Sequence, residues 1–574
     1  MALTVTDNRT VFNEADATTG WTGTATVAVN TTSPVPVEST GRLEMTVSNA
    51  IQSAYFTLGS PVDMTPGHII YQWISNRAEF DTVANIGVGL MLGDGTNRVA
   101  YGVGGSDAVG FAHFEGPVVW QCFTIDTGNL SAYPFTTVAG TAANLNLAAI
   151  TQIGVYFKTV VKAVGGAVNC FWDIGRYLDP TVQDGCALTI TTGSQADPGT
   201  FEDIAAADRQ TGNLQAHGIL RKLGEGLYGL QGPLMFGTGS GATSTWFEER
   251  NATVAFEDRG YEKDKYRLVI RDNGTGTTTF KLGRKIGTGN TATGADGCSF
   301  TVPASEGADF DAQTDTNVTD VFIYGSSFIG FDGGIKLNND QEFIGCTVSN
   351  GGPIFPGTGS GAYLFGTICT NLAVTSSISS SLYWNTESDP NGRLDKMRFT
   401  MGTVGSHAIE FGPKTPSSIS LTDIVFNSYE GTGGTNSTPS SGPTGSAIYN
   451  NSGKALTINI SGGTIPSVRN GASATTTIVS TVTLTVTGLK DNTEVRVYEA
   501  GTTTELAGIE NATDGTTDDR TFAFSATPEA VLDIVIISLE YENQRLDGYV
   551  VPSTNSSIPI QQRFDRNYDN PVGP

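Results

Sequence analysis

A six-residue pattern that recurs through the middle of the chain limits its fold more than any other feature. Each copy opens on an aliphatic or aromatic residue, commonly carries Gly third and closes on an apolar residue. The clearest copies are Ile323-Tyr324-Gly325-Ser326-Ser327-Phe328, Phe343-Ile344-Gly345-Cys346-Thr347-Val348 and Leu364-Phe365-Gly366-Thr367-Ile368-Cys369. Looser copies are Leu394-Asp395-Lys396-Met397-Arg398-Phe399, Leu421-Thr422-Asp423-Ile424-Val425-Phe426 and Ile460-Ser461-Gly462-Gly463-Thr464-Ile465. Their starts lie 20, 21, 30, 27 and 39 residues apart. A period near 20 with insertions in single repeats predicts a β-solenoid, because one coil cannot bury its apolar side alone and coils must stack. Twenty or more residues leave room for three short strands and three turns, which favours a right-handed parallel β-helix over the tighter left-handed kind. Gly in third place permits a bend or a close approach between neighbouring rungs.

The repeats predict a parallel β-helix over residues 225–470, entered through Leu227-Tyr228-Gly229-Leu230-Gln231-Gly232-Pro233-Leu234. The rest of the chain also reads as strand. Gly is 71 of 574 residues and charged residues are only 16%, a composition that favours strands and tight turns over helices. Residues 1–180 carry short alternating runs such as Leu43-Glu44-Met45-Thr46-Val47, Ile69-Ile70-Tyr71-Gln72-Trp73 and Ile153-Gly154-Val155-Tyr156-Phe157. Their rhythm resembles a concanavalin-type jelly-roll sandwich, a fold that often binds sugars. Residues 181–224 form a junction in which Asp203–Arg209 predicts a short helix. Residues 471–550 predict a small immunoglobulin-like sandwich, and 551–574 an extended C-terminal arm packed on a neighbour. The expected fold class is thus all-β: sandwich, right-handed parallel β-helix, second sandwich, tail.

With 57 acidic and 32 basic residues the formal charge is −25, and no long basic run appears. Phosphate contacts need clustered Lys and Arg, so no nucleic-acid partner is expected. No stretch is apolar for 18 residues, so no membrane insertion is expected either. The start, Met1-Ala2-Leu3-Thr4-Val5-Thr6-Asp7, has neither a basic nor an apolar leader region, which predicts synthesis in the cytoplasm without a Sec-type signal. The six cysteines are scattered, and several lie in apolar strand patterns, where buried thiols are expected. The four histidines, His68, His113, His217 and His407, are far apart, which argues against a metal or Ser-His-Asp site. No cofactor is expected.

One catalytic chemistry merits weighing, polysaccharide cleavage by a pair of carboxylates. Glu387, Asp389 and Asp395 fall in or beside the insertion before the fourth repeat, with Arg393 and Lys396 close in sequence, as a lyase would want. Asp332, Asp340 and Glu342 lie between the first and second repeats. At this net charge, however, solvated loop acids are expected anyway.

The order of sandwich, parallel helix and small second sandwich resembles tailed-bacteriophage virion proteins of the fibre or tailspike type. The residues that carry the resemblance are Gly226–Leu234 at the helix entry, Phe343–Val348 within it and Pro559-Ile560-Gln561-Gln562-Arg563-Phe564-Asp565-Arg566-Asn567-Tyr568 near the end. The resemblance implies a structural virion component, commonly a homotrimer, assembled with other virion proteins in the host cytoplasm and engaged in attachment to a host surface glycan. Two alternatives stand beside it, a tailspike depolymerase (a glycoside hydrolase or polysaccharide lyase) and a non-catalytic carbohydrate-binding adhesin.

Overall fold

The structure is a computed structural model. It describes residues 4–30, 42–47, 52–76, 86–102, 121–159, 168–191, 194–207, 219–238, 244–256, 267–272, 276–303, 308–313, 319–372, 380–402, 406–430, 438–509, 520–538, 540–552 and 555–566. The chain is all-β. Among the described residues a single α-helix occurs, Phe201–Ala207, and no helix is long and apolar enough to cross a membrane. Its start lies slightly upstream of the expected one. Thr200 Oγ1 accepts from Asp203 N (3.2 Å) while the Asp203 carboxylate accepts from Thr200 N (2.9 Å), a reciprocal N-terminal cap.

The chain divides into two compact units, 1–286 with 293–342 and 346–352, and 287–292 with 343–345 and 353–574. The first unit opens with two six-stranded antiparallel sheets. One has Val168–Leu178 near its centre, between Ile69–Asn76 and Arg42–Val47; the other centres on Ile150–Thr159, between Ile86–Gly93 and Gln52–Val62. Alternating residues of both sheets, among them Leu43, Ile70, Ile74, Leu90, Val155, Phe157 and Trp172, fill the space between them. Among the polar residues buried here, Gln72 accepts from Trp172 Nε1 (2.7 Å) and donates to Gly154 O (3.2 Å).

The same unit then winds into parallel coils in three columns. The first stacks Leu188–Thr191, Leu234–Phe236, Leu268–Ile270, Asp309–Asp311 and Gly334–Lys336. The second stacks Leu227–Leu230, Thr253–Phe256, Ser299–Thr301, Ser327–Ile329 and Thr347–Ser349. The third stacks Thr245–Glu249, Thr278–Leu282 and Thr319–Tyr324. Three columns match the three strands per coil expected from the repeat length. Parallel pairing reaches back to Leu188, inside the stretch expected to be a junction. Cys122, Cys186, Cys298, Cys346 and Cys369 are buried, and burial pushes the thiols of Cys186, Cys298 and Cys346 up to about 12.

The second unit repeats the arrangement. One column stacks Ile354–Phe355, Ser380–Trp384, His407–Phe411, Ile448–Asn450 and Val468–Asn470. Another stacks Ile368–Thr370, Arg398–Thr400 and Val425–Asn427, and a third Ser418–Thr422, Ala455–Ser461 and the start of Thr475–Leu489. The hexad is the corner between two columns. Its first residue is buried in every copy, and its third takes a left-handed backbone: φ is +62° at Gly345, +71° at Gly366, +61° at Lys396, +54° at Asp423 and +70° at Gly462. The third-place N–H of Gly345, Gly366, Lys396 and Asp423 donates to the second-place carbonyl of the next hexad, as from Gly366 to Asp395 (2.8 Å) and from Lys396 to Thr422 (2.9 Å).

Thr475–Leu489 leaves the coils and becomes a sandwich strand, antiparallel to Arg520–Ala526. A facing sheet orders Glu505–Ile509, Thr493–Glu499, Val531–Ser538 and Gln544–Val550, and Leu484, Val486, Val495, Val497, Ile534 and Ile536 fill the core. The tail is extended, but its partner is its own sandwich. Ser556–Pro559 pairs in parallel with Thr475–Leu489, and Ile560 N donates to Thr487 O (2.9 Å).

Candidate functional site

The acids singled out in the sequence occupy separate environments. Glu387 is exposed. Asp389 Oδ1 accepts from Asn391 N (3.0 Å) and from Ser420 N (2.8 Å), tying its turn to the next coil. Asp395 is 2% exposed and its Oδ1 accepts from Gly392 N (3.0 Å). Arg393 lies over the Tyr363 ring at 4.1 Å and donates to Gly361 O (2.6 Å), whereas Lys396 is exposed in an open groove with Arg398 and Asp423. In the first unit, Asp340 is exposed in a left-handed turn and Asp332 is half-buried. Glu342 accepts from Lys285 Nζ (2.8 Å) and from Tyr324 Oη (2.6 Å); burial, reinforced by this carboxylate, drives the Tyr324 phenol far above its usual range.

His113 and His217 lie outside the described residues. His68 and His407 are each 3% exposed, and His407 Nδ1 stands 2.8 Å from Ser446 O, which makes it the protonated nitrogen of the neutral ring. Among the described residues no group of His, Cys, Asp and Glu could hold a metal ion. Burial lowers the pKa of both rings, with Asp179 opposing at His68 and the Ser446 hydrogen bond at His407. A lowered folded pKa means the folded state binds fewer protons. The stability due to these neutral rings is therefore complete above the ordinary imidazole value of about 6.5 and is lost as pH falls below it. Melting temperature is expected to fall between about pH 7 and pH 5.5, and the fall to shrink in His407→Gln, as thermal melts at both pH values would read.

A row missed in the sequence runs up one face of the second unit. In four successive strands the residues between inward-facing neighbours are Tyr383, Glu410, Tyr449 and Arg469, in direct register. Their neighbours Leu382, Ile409, Ile448 and Val468 are at most 1% exposed, so the row faces away from the interior. Parallel rungs are about 4.8 Å apart, which sets the two tyrosines about 10 Å from each other with the carboxylate between them. Phe355 extends the row, its ring 6.4 Å from that of Tyr383 at 74°. The guanidinium of Arg469 lies 6.0 Å from the Tyr449 ring, which stacks on His407 at 5.0 Å and 25°. Glu410 is 3% exposed and accepts from Asn451 Nδ2 (2.9 Å); with burial it pushes the Tyr383 phenol upward. The row's sequence signal is an inward residue on either side of a polar or aromatic one, as in Leu382-Tyr383-Trp384, Ile409-Glu410-Phe411 and Ile448-Tyr449-Asn450.

No protein-family model matches the chain, and no curated protein matches it. Among solved structures it is similar to a family 11 carbohydrate-binding module from Clostridium thermocellum in complex with a β-1,3-1,4-mixed-linked tetrasaccharide, at 12% identity and a TM-score of 0.21 over 30% of this chain and 96% of that one. It is also similar to the CBM22-1 xylan-binding domain of Xyn10C from Paenibacillus barcinonensis (11% identity, TM-score 0.19, 30% and 96% covered). A third is the Agl-KA catalytic domain (12%, 0.20, 83% and 98%). Likenesses at this level do not assign a function.

Proposed function

We propose that the protein is a fibre- or spike-type virion appendage whose parallel coils present Tyr383, Tyr449 and Arg469, ranged about the buried Glu410, to a host surface glycan. The row is the observation that carries this reading. A pyranose ring has an apolar C–H face that stacks on an aromatic ring, whose negative face attracts those C–H groups. Beyond Tyr449 the Arg469 guanidinium donates to the sugar hydroxyls, while Glu410, buried between the two rings, is held by Asn451. The row is one side chain wide, which suits a linear chain. The order of sandwich, parallel coils and second sandwich supports the virion assignment, and with it assembly in the host cytoplasm, homotrimers and virion-protein partners. Against a host capsular glycan, Tyr449→Ala and Tyr383→Ala are each expected to weaken binding about tenfold or more, the loss typical of a truncated aromatic anchor. Equal affinity in both variants would remove the row from recognition, and a monomer by light scattering would remove the trimer. New reducing ends or unsaturated sugars that vanish in Glu387→Gln or Asp389→Asn would replace binding with depolymerisation.

A further inference from the structure

The hexad's corner position is glycine at 345, 366 and 462 but lysine at 396 and aspartate at 423, all with positive φ. Aspartate tolerates this backbone because its short side chain bonds locally. Lysine has no such compensation, and among the described non-glycine residues with positive φ Lys396 is the single lysine. A non-glycine side chain with this backbone where the repeat elsewhere uses glycine carries local strain, and such strain clusters at ligand sites. Lys396 and Asp423 both line the same open groove of about 510 Å³, with Gly366, Arg398, Val425, Gly463 and Asn555. That volume is within the ordinary range for small-ligand sites.

Lys396 and Arg398 are exposed, and among the described residues neither forms an ion pair, whereas Arg267, Arg271, Arg496 and Arg545 each meet a carboxylate. This happens in a chain of net charge −25, where an idle cation is easily paired. The groove's own acid is engaged sideways: Asp423 Oδ1 accepts from Asn555 Nδ2 (2.7 Å), and Asn555 Oδ1 accepts from Thr483 N (2.7 Å). Arg398 is held on its rung between Ile368 and Val425, so its base is fixed while its guanidinium stays available. At Gly463 a Cβ would lie 2.1 Å from Ile424 O, so no side chain can fill that wall of the groove.

We infer that this groove binds a compact oxyanion, a carboxylate or sulfate, gripped by Lys396 and Arg398. A guanidinium offers the planar fork that matches such groups, and the ammonium adds a second, mobile charge. The inference does not rest on the tyrosine row, which lies on a different column. Titration of the full chain with sodium glucuronate, sodium sulfate and glucose, followed by calorimetry, tests it. Saturable binding of at least one anion is expected, none of glucose, and affinity should fall with added salt. Arg398→Gln and Lys396→Gly should each weaken binding about tenfold, the worth of a charge-assisted hydrogen bond. Lys396→Gly should melt at or above the parent temperature, since it relieves the corner. Tighter binding of glucuronate points to a sugar-borne carboxylate, and tighter binding of sulfate to a tetrahedral anion; both sustain the inference. Absence of saturable anion binding, unchanged affinity in both variants, or a lower melting temperature for Lys396→Gly overturns it.

Discussion

Phe280→Ala is expected to destabilise the first unit by about 3–5 kcal/mol, the usual cost of truncating a fully buried phenylalanine. Phe280 is 0% exposed and in register with Phe247 on the coil before it. The two rings stack at 5.3 Å and 10°, and Phe280 also meets Phe236 at 4.8 Å and Phe310 at 6.0 Å. The contacts continue through Phe310 to Phe328 (5.8 Å) and Phe300 (5.0 Å from Phe328). Removing Phe280 thus opens a cavity in a continuous aromatic column, which β-strands cannot collapse to fill without breaking rung pairing. Because stability in stacked coils is a sum of neighbour interfaces, the loss should be local. Amide exchange should accelerate most in Thr245–Glu249 and Thr278–Leu282. Phe280→Leu should cost less than about half as much, and Phe135→Ala, at a ring 60% exposed, should stay within about 0.5 kcal/mol. A Phe280→Ala melt indistinguishable from the parent would show that the column contributes no cohesion.

The repeat was readable because its constraints are local. A left-handed corner needs glycine or a tolerated substitute, and the first hexad place must be apolar, so Gly325, Gly345 and Gly366 announce themselves in sequence. The three-strand coil followed from length alone. Legibility failed where pairing is non-local. Leu188–Thr191 joins the coils by pairing with Leu234–Phe236, 46 residues on, and nothing in its four residues says so. The tail was read as extended but not as a strand of its own sandwich, since Ser556–Pro559 pairs with residues more than 70 positions earlier. The acids beside the fourth repeat were visible, yet their backbone partners, Ser420 N and Gly392 N, depend on the stacking of coils. The telling signal of Lys396 in the sequence is its place more than its charge: it stands third in a hexad, where the repeat calls for Gly.

Asp311→Ala is expected to cost about 2–3 kcal/mol, because it removes a carboxylate shared by two arginines in a largely buried cluster. Phe310 points into the coils, so alternation turns Asp309 and Asp311 outward on the same strand. Asp311 accepts from Arg267 at 2.7 Å and lies 3.6 Å from Arg271, while Asp309 takes Arg267 at 3.1 Å and Lys336 at 2.7 Å. The side chains of Asp311 and Arg271 are 4% and 6% exposed, and Arg271 would be left with the more exposed Asp184 (2.6 Å) as its ion-pair partner. Arg267, at 24%, keeps Asp309 and has partial access to water, which holds the cost below the roughly 3–5 kcal/mol of a buried pair broken so that a charge is left uncompensated. The comparison is Asp296→Asn, which removes a charge from the exposed Arg284–Asp296 pair (54% and 37%) while keeping a residue that tolerates its left-handed backbone. That change should stay within about 1 kcal/mol and vanish at high salt, whereas the Asp311 effect should persist there. Paired melts at low and high salt separate the two. A cost for Asp311→Ala that disappears with salt would mean that water reaches the cluster, and that the coils rest on their apolar columns alone.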